Sequence, residues 1–256
     1  MLVGKLLPFL GLLRAALSTP VDRLLERRGK VDHDSLSPSP QTVQDNPNGR
    51  AIARFNPLLH IAQGCQPYTV VDDAGDTSGG LKPSGLSDGD CEDTSKGQTY
   101  ARGTQHKGKY AIMYAWYFPK DMPNDEVSKG AHRHDWESVV IWLSDPSGQN
   151  STKLGGAGPS FQNTTILGGA ASGHGEFKPT DKPPHEGDRV KVEYFSDLIL
   201  NHELQFTATA GRTYPVLDWD VMGTTIQNAL SNTDFGKADV PFIDKNFLKN
   251  LDKASI

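Results

Sequence analysis

KYAIMYAWYFPKD, residues 109–121, decides the fold because it contains a nearly continuous apolar and mostly aromatic run. Its length and residue types favour a strand buried on both faces over a helix. A second run of this kind, ESVVIWLSDPSG at residues 137–148, ends in an Asp-Pro-Ser-Gly turn. Because only a short excursion separates the two runs, we predict that they form adjacent antiparallel strands. That pairing would bring Asp121 close to Asp135.

The rest of the chain fits an all-β protein with few helices. Of its 256 residues, 26 are Gly, 17 are Pro and 36% are hydrophobic, which suits many short elements joined by turns. RVKVEYFSDLILNHELQFTA, residues 189–208, predicts one or two further strands. Helical spacing of apolar residues over 220–236 and 241–253 predicts helices, the first capped by Thr224 or Thr225. We therefore predict a single-domain β-sandwich with one or two peripheral helices.

The N-terminal part of the chain has the features of an exported protein. Residues 1–18 combine a positive charge, an apolar run and a small-residue exit, and they predict a signal peptide. Residues 19–50 are polar and punctuated by proline, which predicts a flexible pro-segment or linker. Arg27-Arg28 is a candidate processing site within that segment. We predict that residues 51–256, where the composition is globular, form the folded domain.

The cysteines and two glycosylation sequons agree with export. Cys65 and Cys91 are the only cysteines, and in an oxidising compartment they would pair with each other. Asn150 and Asn163 each begin an Asn-X-Thr/Ser sequon in surroundings typical of surface loops. We therefore predict a secreted, extracellular glycoprotein with one disulfide.

Composition argues against two classes of protein. The net charge of −5 and the pI near 5.9 disfavour a nucleic-acid-binding protein, and no segment interleaves clustered Lys and Arg with aromatic residues. The apolar run of the leader is well short of the roughly 20 residues that a transmembrane helix needs. We expect neither nucleic-acid binding nor a membrane-spanning helix.

GAHRHDWE, residues 130–137, is the chemically densest stretch of the chain. In an extended segment alternate side chains share a face, so Asp135 and Glu137 would point the same way. Asp121 would add a third carboxylate from the neighbouring strand, and such a cluster needs a counter-charge. Ca²⁺ and Mg²⁺ prefer oxygen-rich sites of this kind. His132 would join the site only if the chain bends near the Gly-Ala start of the octapeptide.

The residues alone leave two other interpretations open. One is an ion-paired strand entry, in which Asp135 or Glu137 offsets Arg133 and Trp136 lies in the core. The other is a glycosidase, which needs only two carboxylates across a cleft. Zinc-hydrolase and cupin motifs do not match this spacing, and no serine lies in a nucleophile elbow. We expect a protein that is not an enzyme, with a metal-dependent carbohydrate-active enzyme as the alternative.

Long stretches of the sequence resemble a single family. AIMYAWYFPKD at 111–121 and HRHDWE at 132–137 resemble the AIMYxWYFPKD segment and the GHRHDWE signature of the necrosis- and ethylene-inducing peptide-like proteins. These are secreted cytolysins of plant-associated microbes. GCQPYTVVDDAGDTSGGLKPSG, GQTYAR, NHEL and NTDFGKADVPFIDKNFL resemble further blocks of the family in the same order. The resemblance extends from Phe55 to the C-terminus, and the two cysteines resemble the commonest subgroup.

The resemblance implies a fold and a site. The fold would be a β-sandwich similar to that of the actinoporins, with a divalent cation in a surface cavity. Matched by motif, the cation ligands of the family fall on Asp121, His132, Asp135 and Glu137. Asn201 and His202, in NHEL, resemble the residues that contact a sugar head group.

The resemblance also implies a function. Members of the family bind the sugar head groups of plant glycosylinositol phosphorylceramides and then damage the plasma membrane, which induces necrosis and defence responses. The implied partners are these plasma-membrane sphingolipids and a plant immune receptor, and the implied state is a monomer. The sequence departs from the family at Ala131, where the signature has Gly, and at Leu198, near a common Trp. Because not all members are cytolytic, a non-toxic sugar-binding protein is the alternative.

Overall fold

A computed structural model describes residues 29–125, 130–144, 164–196 and 201–256. Twelve strands and three α-helices lie in these ranges. In chain order they are β1 Lys30–Val31, α1 Pro47–Arg54, β2 Leu58–Ile61, β3 Thr77–Ser78, β4 Thr99–His106, β5 Lys109–Asp121, β6 His132–Leu143, β7 Ile166–Gly173, β8 Glu176–Thr180, β9 His185–Glu186, β10 Arg189–Ser196, β11 His202–Phe206, β12 Val216–Asp218, α2 Gly223–Asn232 and α3 Phe247–Lys253.

The larger sheet has six strands in the order β12-β4-β5-β6-β7-β8. At its centre β5 and β6 pair antiparallel, from Tyr110 opposite Leu143 to Asp121 opposite His132. Both strands are buried along nearly their whole length, as expected for strands with packing on both faces. The predicted pairing is confirmed, and β6 begins at His132 rather than at Glu137.

The smaller sheet runs β11-β10-β2, with β9 also paired to β10. Residues of β10 alternate between buried and half-buried, which is the pattern of a strand with one face on a core. Tyr194 of β10 stacks on Phe118 of β5, with 3.7 Å between the ring centroids. β11 lies beside β6 and β7. The two sheets therefore pack face to face, and the predicted β-sandwich is confirmed.

The described part of the chain has three α-helices, whereas the sequence predicts one or two. The additional helix is α1, which begins with Pro47 at its first position and with the Asn46 side chain accepting a hydrogen bond from the helix backbone. Its Pro-Asn-Gly start is also typical of a turn, so the sequence pattern does not distinguish a helix from a turn at this position. α2 is confirmed, but it has no side-chain cap and neither Thr224 nor Thr225 serves as one.

Residues 29–50 lie against the domain, whereas the sequence predicts a flexible segment over 19–50. β1 pairs in parallel with β3, and the Thr42 N–H donates to the Val216 carbonyl at 2.9 Å. These partners are distant in sequence, so a polar composition gives no indication of them. The expectation of a flexible linker is corrected for the described part, and residues 19–28 lie outside it.

Cys65 and Cys91 form the predicted disulfide, with their Cα atoms 5.1 Å apart. The predicted signal peptide, 1–18, and the predicted glycosylation sites Asn150 and Asn163 lie outside the described residues and stay predictions. In the ranges that the structure covers, none of the helices combines the length and the apolar character needed to cross a bilayer.

Candidate functional site

The candidate site lies where β5 ends and β6 begins. Asp121 is the last residue of β5, His132 is the first residue of β6, and the two are paired directly across the sheet. Both line a cavity of about 390 Å³, which is also lined by Asp135, Glu137 and Asn201. The strand pairing has therefore assembled residues from both predicted motifs around one cavity.

A local reversal in β6 turns Asp135 toward His132. Strict alternation would place these two residues on opposite faces, because they are separated by an odd number of positions. Between them, His134 has a φ of +62°, in the left-handed region that residues other than Gly rarely adopt. The sequence predicts the bend near the Gly-Ala pair at 130–131. Gly130 does have a φ of +87°, but the reversal that unites His132 with Asp135 is at His134.

Contacts around His134 support this conformation. The strand register places it opposite Pro119, which has no N–H to donate to the strand pair. The Pro119 carbonyl accepts a hydrogen bond from the Leu81 N–H at 2.8 Å instead. His134 Nδ1 is 2.7 Å from the Tyr117 hydroxyl, and burial lowers the pKa of His134 to about 4. The ring is therefore neutral at pH 7, and the His134 carbonyl accepts a hydrogen bond from His132 Nδ1 at 2.8 Å.

Asp121, His132 and Asp135 form a cluster whose ligand atoms all lie within 4.8 Å of one another. Asp121 Oδ2 is buried, has no hydrogen-bond partner among the described residues and lies 3.5 Å from His132 Nε2. Because His132 Nδ1 donates to a backbone carbonyl, the neutral ring carries its lone pair on Nε2. A buried carboxylate oxygen without a donor, beside an imidazole lone pair, fits the ligand requirements of a divalent cation.

Burial disfavours the ionised forms of the carboxylates in the cavity. It raises the pKa of Asp135 to about 7, with the charge of Asp121 as the next cause. It raises the pKa of Glu137 well above its ordinary value, followed by the charge of Asp135. The Tyr194 hydroxyl opposes the shift at Asp135 by donating to Oδ2 at 2.9 Å. Carboxylates that share a pocket without a counter-charge behave in this way.

Glu137 lines the same cavity but lies outside the three-residue cluster. Its carboxylate accepts a hydrogen bond from the Ser172 hydroxyl of β7. The structure thus brings three of the four predicted ligands together and leaves the fourth beside them.

Arg133 lies away from these acids. Its guanidinium donates to the carbonyls of Gly79 and Gly80 at 3.0 and 2.8 Å. Among the described residues, it forms no ion pair with Asp135 or Glu137, so the ion-paired strand entry does not account for the acidic residues of the octapeptide.

Asn201 and His202 differ in their relation to the cavity. Asn201 is half-buried and lines it next to Gly130, where an added Cβ would lie 3.3 Å from the Asn201 Oδ1. His202 borders the cavity but is buried, and its backbone N–H and Nδ1 lie 3.1 and 2.7 Å from Asp121 Oδ1. Its Nε2 is turned toward Gly64. These contacts indicate that His202 holds Asp121.

The opposite wall of the cavity is not among the features predicted from the sequence. α3 and the segment before it contribute polar residues from one helix face and one loop. These residues are Lys237, Asp239, Asn246, Lys249, Asn250 and Lys253. Lys253 Nζ donates to the Gly175 carbonyl at 2.5 Å and to Glu176 at 3.1 Å, which ties α3 to the β7–β8 turn. The helical spacing of polar residues over 246–253 was the one signal available in the sequence.

Comparisons with known proteins agree with the fold. Residues 49–254 match the family model described as Necrosis inducing protein (NPP1). NLP effector protein 2 of Phytophthora capsici is 40% identical over 225 residues, which cover 88% of this chain and 86% of that protein. The solved structure of NLPPya in complex with mannosamine is 39% identical, with a TM-score of 0.77, and the match covers 89% of this chain and 100% of that one.

A non-toxic relative has the same fold. The crystal structure of the non-toxic HaNLP3 protein is 35% identical, with a TM-score of 0.78, and the match covers 87% of this chain and 98% of that one. The family model spans the whole β-sandwich, and the relatives match over most of the chain. The chain therefore belongs to the necrosis-inducing protein (NPP1) family.

Proposed function

We propose that the protein is a secreted, cation-dependent cytolysin that binds the sugar head groups of plant glycosylinositol phosphorylceramides. Binding would be followed by disruption of the host plasma membrane, necrosis and defence responses. The observation that carries the proposal is the cluster of buried Asp121, half-buried His132 and buried Asp135, with a carboxylate oxygen that has no donor among the described residues. A bound cation would compensate the charge of carboxylates that are buried together in this way.

The cation would be held by the cluster, with Glu137 as the fourth ligand. Carboxylate oxygens and one imidazole nitrogen suit Ca²⁺ or Mg²⁺. When bound, the cation supplies a positive centre that attracts sugar hydroxyl oxygens. The chain's own residues contribute the ligand set, the burial that excludes water and the neighbouring polar wall of α3.

A sugar ligand is supported by the cavity and by relatives. NLPPya has been solved in complex with mannosamine and with glucosamine. A volume of about 390 Å³ lies within the range of roughly 300–1,000 Å³ that is typical of small-molecule sites. Asn201 would contact the head group directly, with His202 behind it. Residues 111–137 resemble the segment that plants detect in this family, so a plant immune receptor is the further proposed partner.

A non-cytolytic sugar-binding protein is the second candidate. HaNLP3 is described as non-toxic and matches this chain with a TM-score of 0.78, so the fold alone does not decide toxicity. In that case the cation and the sugar would bind and the membrane would stay intact. A metal-dependent carbohydrate-active enzyme would instead release sugar through the same carboxylates.

Dye leakage from vesicles distinguishes these candidates. Vesicles that contain plant glycosylinositol phosphorylceramide are treated with the purified protein, with and without a chelator, and matched vesicles lack this lipid. We expect leakage only with the lipid and without the chelator. Binding without leakage would support the sugar-binding protein, and release of sugar without leakage would support the enzyme. Leakage that is unaffected by the chelator would contradict the cation-dependent proposal.

A further inference from the structure

We propose that Tyr194 is a positioning residue of the cation site. From the smaller sheet it holds the Asp135 carboxylate and, together with His202, fixes two anionic ligands in the larger sheet before the cation binds. The inference rests on the proposed cation site. From the sequence, Tyr194 is predicted only as part of a strand.

Tyr194 is the middle ring of a three-ring stack that crosses the sandwich. It is fully buried, lies 3.7 Å from the Phe118 ring at an interplanar angle of 8°, and lies 4.5 Å from the His202 ring at 10°. The rings come from β5, β10 and β11, so the stack joins both sheets. A ring packed on both faces has little freedom to move its hydroxyl.

Two members of the stack each hold one carboxylate. The Tyr194 hydroxyl donates to Asp135 Oδ2 at 2.9 Å. His202 Nδ1 and the His202 backbone N–H lie 2.7 and 3.1 Å from Asp121 Oδ1. Each carboxylate therefore keeps one oxygen that the stack does not engage, and both acids belong to the cluster with His132.

This arrangement opposes the repulsion between the two acids. Buried like charges favour separation or protonation, and both would remove the ligand set that a cation needs. A donor fixed from the opposite sheet keeps each carboxylate in place without neutralising it. Hydrogen-bond partners that orient metal ligands typically contribute about 10- to 100-fold to metal affinity.

A matched control separates this role from ordinary burial of a phenol. Tyr114 of β5 is equally buried, but its hydroxyl donates to the Ile52 carbonyl at 2.9 Å rather than to a carboxylate of the cluster. Tyr114→Phe and Tyr194→Phe each remove one buried hydroxyl that donates one hydrogen bond and leave the ring in place. A purely structural role predicts the same outcome for both variants.

The test is calorimetric titration of wild type, Tyr194→Phe and Tyr114→Phe with Mg²⁺ alone and with Ca²⁺ alone. Thermal unfolding in chelator reports stability separately. We expect Tyr194→Phe to bind the cation about tenfold or more weakly, while the affinity of Tyr114→Phe changes less than about twofold. Unchanged affinity in Tyr194→Phe, or an equal loss of affinity in both variants, would overturn the positioning role of Tyr194 but not the proposed cation site. If wild type binds neither cation, the proposed cation site fails together with this inference.

Discussion

Replacing Asp135 by Asn tests whether the site carries charge that destabilises the fold. Burial, followed by the charge of Asp121, raises the pKa of Asp135 from 3.8 to about 7. The folded protein therefore binds this proton more strongly than the unfolded chain does. The stability from this group is present at low pH and is lost as the pH rises through about 7. The pKa of Asp135 is higher in the folded protein than in the unfolded chain by about 3, which corresponds to a loss of about 4 kcal/mol in the free energy of unfolding at pH 8.

Asn has nearly the same shape as Asp and no charge to bury. Its side-chain carbonyl can still accept the hydrogen bond that the Tyr194 hydroxyl now donates to Asp135. Without a cation, we therefore expect Asp135→Asn to be more stable than wild type by about 2 to 4 kcal/mol at pH 8. At pH 5 the Asp135 carboxyl of folded wild type is largely protonated, so this advantage should fall by more than half.

Urea unfolding in chelator at pH 8 and pH 5 measures these differences. With Mg²⁺ at about 100 times its dissociation constant, wild type should gain about 2.7 kcal/mol and the variant close to none. The control is Asp188→Asn, because Asp188 is partly exposed and its pKa is lowered by the hydrogen bond from Arg54. We expect that variant to lose a little stability and to keep the response to Mg²⁺. An Asp135→Asn protein that is less stable than wild type in chelator at pH 8 would contradict a destabilising charge at Asp135, and one that responds equally to Mg²⁺ would contradict its role as a ligand.

Three further predictions follow from the site and the disulfide. His134→Gly keeps the left-handed backbone accessible and His134→Val does not. Because the strain is about 1–3 kcal/mol, His134→Val should bind Mg²⁺ in calorimetry about fivefold or more weakly than His134→Gly. Equal affinities would contradict a role for the backbone reversal. Replacing Cys65 and Cys91 by Ser should lower the free energy of unfolding by about 3 to 4 kcal/mol, because their sequence separation is 26 residues. A loss near zero in urea unfolding would contradict the loop-entropy argument. Since the cation competes with the proton on Asp135, the affinity of the protein for the cation should fall as the pH drops below about 7. Calorimetric titrations that show the same affinity at pH 8 and pH 6 would count against Asp135 as a ligand.

The sequence predicted the central strands and the meeting of Asp121 with Asp135. A long apolar run has few alternatives to a buried strand, and a short excursion between two such runs favours antiparallel neighbours. It did not predict how His132 joins them. The left-handed residue is His134, and its support comes from the register opposite Pro119 and from the Tyr117 hydroxyl, which no local pattern reveals.

The remaining differences also come from contacts between distant parts of the chain. The segment at 29–50 has a polar composition, yet it is ordered by pairing with β3 and β12. Tyr194 and His202 acquire their partners only when the smaller sheet packs on the larger one. The order of elements and the ligand types could therefore be predicted from the sequence, whereas the residues that orient those ligands could not.

Anomalous diffraction from crystals soaked in Mn²⁺ would locate the cation that the cluster is proposed to bind, because Mn²⁺ accepts the oxygen and nitrogen ligands that suit Mg²⁺. We expect one peak at the cluster, about 2.0–2.6 Å from ligand atoms of Asp121, His132 and Asp135, that is absent from Asp135→Asn crystals. No peak at the cluster under saturating Mn²⁺, or a peak that persists there in the variant, would contradict the proposed cation site.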